Sequence, residues 1–190
     1  MAPSTAQAGI YNGTGESFID NNNGKSFGLR VTSTVAWALN LGASYFSHDG
    51  VLAPQPPANT PDSSFRNNAF GLDASWGKPG DAGLFVVADY MRGDAFRHGA
   101  QTMSGLSLVT AYQFRFATSR TRLYAIEPAV RFDTSDPDSD SEDDASTLLT
   151  AVFGLYLNST TQLRVAYERQ NFQGSGPTVA GFRMATTVHF

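Results

Sequence analysis

The 190-residue chain contains no cysteine. A disulfide framework and a thiolate metal site are therefore excluded. Lysine is nearly absent, with only Lys25 and Lys78, so almost all positive charge is arginine. The formal net charge is −4, which argues against nucleic acid as a partner. There is no long apolar run. A membrane-crossing helix needs roughly 20 mostly apolar residues, and no stretch supplies them. Met1-Ala2-Pro3-Ser4-Thr5 lacks the basic and apolar regions of an export signal.

What is present is a period of two. Phe70, Leu72, Ala74 and Trp76 alternate with Gly71, Asp73 and Ser75. Leu163, Val165 and Tyr167 alternate with Arg164, Ala166 and Glu168. Such alternation predicts strands with one apolar face. Strands are expected near 5–12, 25–33, 36–48, 66–77, 82–93, 102–116, 121–134, 146–158, 161–172 and 178–190. Globular strands average about 5–6 residues, whereas a tilted strand crossing a bilayer needs about 9–11. The predicted lengths match the second case. The near-neutral average hydropathy is no objection, because the two faces cancel.

Connection lengths alternate. Short turns are expected at Ser33-Thr34-Val35, Lys78-Pro79-Gly80-Asp81, Thr118-Ser119-Arg120 and Ser159-Thr160. Longer ones are expected near 13–24, 49–65, 94–101 and 134–145, with a smaller one near 173–177. This is the pattern of short periplasmic turns and long external loops. Trp37, Trp76, Phe116 and Tyr124 sit beside the short turns, and Tyr45, Tyr90, Phe132 and Tyr167 toward the loops. They are expected to form two interfacial girdles. Pro128, inside a strand pattern, predicts a bulge or an edge. The expected fold is one all-β domain over 1–190, an antiparallel transmembrane β-barrel of about ten strands in a bacterial outer membrane. Such a protein must be exported. The missing export signal therefore predicts either a removed leader or a chain that begins inside a longer gene, as the C-terminal portion of a larger barrel.

The polar parity carries Arg30, Asp73, Asp89, Arg115, Glu127, Arg131, Asp133, Arg164, Glu168 and Arg183, expected to line a pore with charges of both signs. The opposite expectation is a narrow interior filled by cross-strand ion pairs. Lys25, Arg92 and Arg169 break the apolar parity near the loop ends, where they would face lipopolysaccharide phosphates. Glu16, Asp20, Asp49, Asp62, Asp94, Asp136, Asp138, Asp140, Glu142, Asp143 and Asp144 are expected in the loops, opposed chiefly by Arg66 and Arg97. An acidic mouth attracts cations. The carboxylates at every second residue from Asp136 to Glu142 could wrap a hard cation, but Ser141 and Thr147 stand where a calcium loop needs glycine and glutamate. That segment is read as an acidic loop and no metal site is expected. His48, His98 and His189 lie in separate places, without metal spacing. A serine hydrolase of this class would need a histidine beside a serine on the lipid-facing side, and the sequence signals none. Asn12-Gly13-Thr14 and Asn158-Ser159-Thr160 match the glycosylation pattern but are read as turns.

Several segments resemble the phosphate-selective porin O/P family: Gln7-Ala8-Gly9-Ile10-Tyr11-Asn12-Gly13-Thr14-Gly15, Leu41-Gly42-Ala43-Ser44-Tyr45 and Glu127-Pro128-Ala129-Val130-Arg131-Phe132-Asp133. Phe153-Gly154-Leu155-Tyr156-Leu157-Asn158, followed by Leu163-Arg164-Val165-Ala166-Tyr167-Glu168-Arg169, resembles its C-terminal hairpin. The resemblance spans nearly the whole chain, and the ordered set is more specific than any one segment. It implies a barrel of about sixteen strands, often a homotrimer, of which this chain supplies the last part. It also implies insertion by the barrel assembly machinery, which reads a terminal aromatic such as Phe190. The family's phosphate specificity rests on pore arginines and lysines. Lysine is missing from the polar parity here, so that specificity does not carry over. The expected function is a porin, a passive diffusion channel for small hydrophilic solutes or ions, without enzyme activity or cofactor. The alternative is a structural or adhesive barrel with a closed polar interior and no transport.

Overall fold

A computed structural model describes residues 3–12, 24–52, 63–94, 101–116, 123–174 and 176–188. They form ten strands: β1 (Ser4–Asn12), β2 (Lys25–Ala36), β3 (Leu39–Leu52), β4 (Ser63–Trp76), β5 (Gly83–Asp94), β6 (Thr102–Arg115), β7 (Ala125–Asp136), β8 (Ser146–Tyr156), β9 (Thr161–Phe172) and β10 (Val179–Val188). Each pairs antiparallel with its sequence neighbours in a single sheet of order β1 to β10. Among the described residues, β1 and β10 are the two edges and no pairing joins them. All of β10 is exposed.

The register carries the period of two across the sheet. Arg30 pairs with Ser44, Ser44 with Gly71, Gly71 with Met91 and Met91 with Gly105. Directly paired residues share a face, so one sheet face is predominantly polar throughout. The other bears Leu29, Tyr45, Phe70, Leu106, Phe132 and Leu149, all exposed. Among the described residues the buried apolar side chains are only Ala69 and Ala125, while Ser26, Ser47, Asp49, Asn67, Gln113, Thr150 and Gln162 are buried. Most of the large apolar side chains are thus exposed on one face, and polar side chains predominate on the other.

Several expectations are corrected. The first short turn is Trp37-Ala38, not Ser33-Thr34-Val35. β2 runs on because the β-branched residues around Ser33 fit a strand, and the chain reverses at Trp37, whose φ is 35°. The register shifts between Thr34 and Ala36 to feed this turn. Asp49, Asp94 and Asp136 lie in strands rather than loops, because β3, β5 and β7 extend beyond their predicted ends, and Arg66, expected among the loop charges, lies inside β4, as its place at the start of the predicted strand 66–77 allows. Pro128 makes neither a bulge nor an edge. It pairs in register with Phe153 on β8, while the β6 ladder is interrupted between Ala111↔Ala129 and Phe114↔Ile126 without a shift. The missing proline N–H accounts for that gap. The β6–β7 connection spans 116–124, as long as the one at 137–145. Thr118–Arg120, the expected turn there, falls outside the described residues, as do Glu16, Asp20, Asp62, Arg97, His98, His189 and Phe190.

Of the expected girdles, Trp76 ends β4, Trp37 sits in the β2–β3 turn, and Phe116 and Tyr124 flank the β6–β7 connection. Tyr90 and Phe132 lie in the loop-proximal halves of their strands, but Tyr45 and Tyr167 fall near mid-strand. On the apolar face Phe27 packs on Tyr45 at 5.6 Å, Phe70 on Tyr90 at 6.1 Å and Tyr167 on Phe182 at 5.1 Å between ring centroids. Asn158 is a turn residue as expected. Its Oδ1 accepts from the Thr160 and Thr161 backbone N–H groups at 2.8 and 2.7 Å.

Candidate functional site

Register places all ten predicted pore residues, from Arg30 to Arg183, on the polar face. They act largely as pairs. Arg30 on β2 reaches Asp73 on β4 at 2.9 Å, passing over Gly42 of β3, where a Cβ would collide with the Asp73 carboxylate. Asp73 directly opposes Asp89 on β5. Like charges so placed repel, and leaning toward Arg30 exchanges that repulsion for an ion pair. Arg131 engages Asp133 at 2.7 Å, and Arg183 engages Glu168 at 2.8 Å. Arg164 stands 4.0 Å from Glu127.

Within these pairs the two signs are not equally presented. Arg131 and Arg164 are 55% and 52% exposed, against 18% and 16% for Asp133 and Glu127. The same order holds for Arg30 with Asp73 and for Arg183 with Glu168. The acids lie against the sheet and the guanidiniums stand above it. Because the cations remain solvated, each pair contributes only about 0–1 kcal/mol.

The densest network lies across β6 to β9. The Glu127 Oε2 accepts from Gln113 Nε2 at 3.3 Å and from the Tyr156 hydroxyl at 3.0 Å. Gln113 thereby bridges the gap left by Pro128. With its amide oriented to match its neighbours, Gln162 Oε1 accepts from Arg164 Nε at 2.7 Å. Arg115 donates to Gln113 Oε1 at 3.0 Å and to the Gly80 carbonyl at 2.6 Å, and its guanidinium lies 5.5 Å from the Tyr124 ring centre. This draws the β4–β5 turn over the polar face. The turn roofs a cavity of about 400 Å³ whose walls include Phe85, Val109, Ala129, Val152, Glu127 and Arg164. Its apolar floor was missed in the sequence, although the uninterrupted run Leu84-Phe85-Val86-Val87-Ala88 is the signal of a strand apolar on both faces.

Lys25, Arg92 and Arg169 fall on the apolar face toward the loop ends of β2, β5 and β9. They are not its only charges there. Asp49 pairs with Arg66 at 3.4 Å, Asp94 accepts from the Asn68 N–H at 2.8 Å, and Asp136 shares that face. The rim is mixed in sign. The acidic connection 137–145 uses Asp138 internally. Its carboxylate accepts from the Asp140 N–H at 3.1 Å and from Gln101 Nε2 at 2.7 Å. Among the described residues no three acidic or histidine side chains converge to hold a metal.

A serine–histidine contact does occur, though on the polar face. Ser26 Oγ lies 3.1 Å from His48 Nδ1, and Asn67 is the register partner of His48. Ser26 is only 1% exposed, and its oxygen already accepts from the Asp49 N–H at 3.0 Å. The contact ties β2 to β3 and offers no accessible nucleophile. In comparisons with known proteins, no family model, curated sequence or solved structure matches the chain.

Proposed function

We propose that this chain forms wall of a bacterial outer-membrane β-barrel through which small hydrophilic solutes or ions diffuse passively. The observation that carries the reading is the inverted distribution of side chains. A face of exposed leucines, phenylalanines and valines, with almost no apolar side chain buried among the described residues, is not stabilised in water, where folding depends on removing such surface from solvent. Hydrocarbon is the medium in which that face costs nothing. The polar face then belongs to the solute. Outer-membrane lipid and lipopolysaccharide are the partners this implies, and assembly machinery and a homotrimer remain part of the proposal through the family resemblance.

Transport is favoured over a closed polar interior by the contact pattern. Among the described residues, substantial backbone proximity is confined to sequence-neighbouring strands, and the ion pairs on the polar face join residues of the same strand, adjacent strands or strands two apart. A packed interior joins opposite walls, as in small barrels filled by side chains. Stepwise conductance of the purified chain in planar bilayers tests the proposal. A folded, heat-modifiable sample that inserts without conducting supports the structural barrel instead. Reversal potentials under a salt gradient then compare the acidic loops, which favour cations, with the exposed guanidiniums of the wall.

A further inference from the structure

We propose that the cavity beneath the β4–β5 turn is a binding site for a small organic carboxylate with an apolar body. The proposal rests on the polar face being the solute-facing wall, and it names the class of solute that would pause there.

The anomaly is the floor. A wall exposed to water has no need of apolar side chains, yet Phe85, Val109, Ala111, Ala129 and Val152 all project from the polar face of β5 to β8 into one cavity. Its volume of about 400 Å³ falls in the range of small-molecule sites, which are mostly apolar with a few placed polar groups. The Arg115 hydrogen bond to the Gly80 carbonyl holds the turn over one side of this partly open cavity.

The placed polar groups select the head group. Of the acids around the cavity, Glu127 is satisfied by Gln113 and Tyr156 and Glu168 by Arg183. The two lining arginines are the exposed partners of their pairs. Arg131 spends its Nε on Asp133, and its terminal Nη groups make no hydrogen bond among the described residues. Arg164 is bound along its Nε edge by Gln162. Both retain donors for a carboxylate, the geometry guanidinium matches best. Asp81, on the roof, is a third acid at the site. With Asp133 on Arg131, Arg183 on Glu168 and Arg115 on the roof, four carboxylates and four guanidiniums balance around the cavity, a neutral setting that disfavours a multiply charged anion relative to a singly charged one.

The test titrates benzoate, benzamide and inorganic phosphate against the full chain folded in detergent, by saturation-transfer NMR. Benzoate should bind at least about fivefold more tightly than benzamide, which has the same body without the charge, and more tightly than phosphate. Replacing Arg131→Gln together with Arg164→Gln should abolish the benzoate preference. Val109→Asn should weaken both aromatic ligands by roughly three- to tenfold. Equal affinity for benzoate and benzamide, or phosphate binding as tightly as benzoate, overturns the proposal in the unaltered protein, whether or not the variants fold. Conductance measured on the same sample separates the two readings. A conducting channel without benzoate preference loses the site but keeps the channel. Benzoate preference that depends on the two arginines, without conductance, keeps the site and removes the channel.

Discussion

Leu108 and Ser107 are adjacent in β6 and project to opposite faces. Leu108 is 41% exposed on the apolar face, between Ala88 and Phe132 in the register. Ser107 lies on the polar face between Asp89 and Asp133. β6 runs from Thr102 to Arg115, so at about 3.4 Å per residue Leu108 sits near the middle of the strand and, in a tilted barrel, near the bilayer midplane. Arginine facing lipid there costs about 2–4 kcal/mol, a shift of roughly thirtyfold to several hundredfold in the unfolding equilibrium. Ser107→Arg meets two carboxylates across the strand and should stay within about 1 kcal/mol of the parent. Were the apolar face wet, both changes would be surface substitutions worth about 0.5 kcal/mol or less. Guanidinium unfolding in phospholipid vesicles, followed by the fluorescence of Trp37 and Trp76, measures both variants. Equal stabilities for Leu108→Arg and Ser107→Arg would refute the lipid-facing assignment.

Gly42→Ala should leave stability within about 1 kcal/mol, because strand propensity gained offsets an exposed ion pair lost, yet it should abolish the coupling between Arg30 and Asp73 in a double-mutant cycle; persistent coupling would show that Asp73 does not need the space over Gly42. Arg115→Gln should release the β4–β5 turn, raising hydrogen exchange at Gly80 and Asp81 by roughly five- to tenfold while exchange in β6 stays unchanged. Replacing Lys25, Arg92 and Arg169 together with glutamine should reduce retention of lipopolysaccharide in native mass spectrometry while the barrel still folds. Unchanged retention would leave these side chains as simple rim charges that snorkel to water.

The sequence alone determined which side chains share a face. Alternation is local, since successive Cβ atoms point to opposite sides of a strand, and it placed Arg30, Asp73, Glu127, Arg164 and the others together before any pairing was known. It also located ten strands and the Asn158 turn. Tertiary pairing decided what local pattern cannot carry. Which carboxylate answers Arg30 depends on a strand two places away and on a glycine between them. The interruption at Pro128 depends on β6, and the bridge across it on Gln113. The β-branched residues around Ser33 permit β2 to extend, but the position of the first reversal was set by its pairing with β3, where the register shifts between Thr34 and Ala36. The cavity depended on a six-residue turn folding back to meet an arginine from β6. Parity is set by one chain's geometry, whereas partners, gaps and enclosure are set by neighbouring strands whose register is a property of the whole sheet.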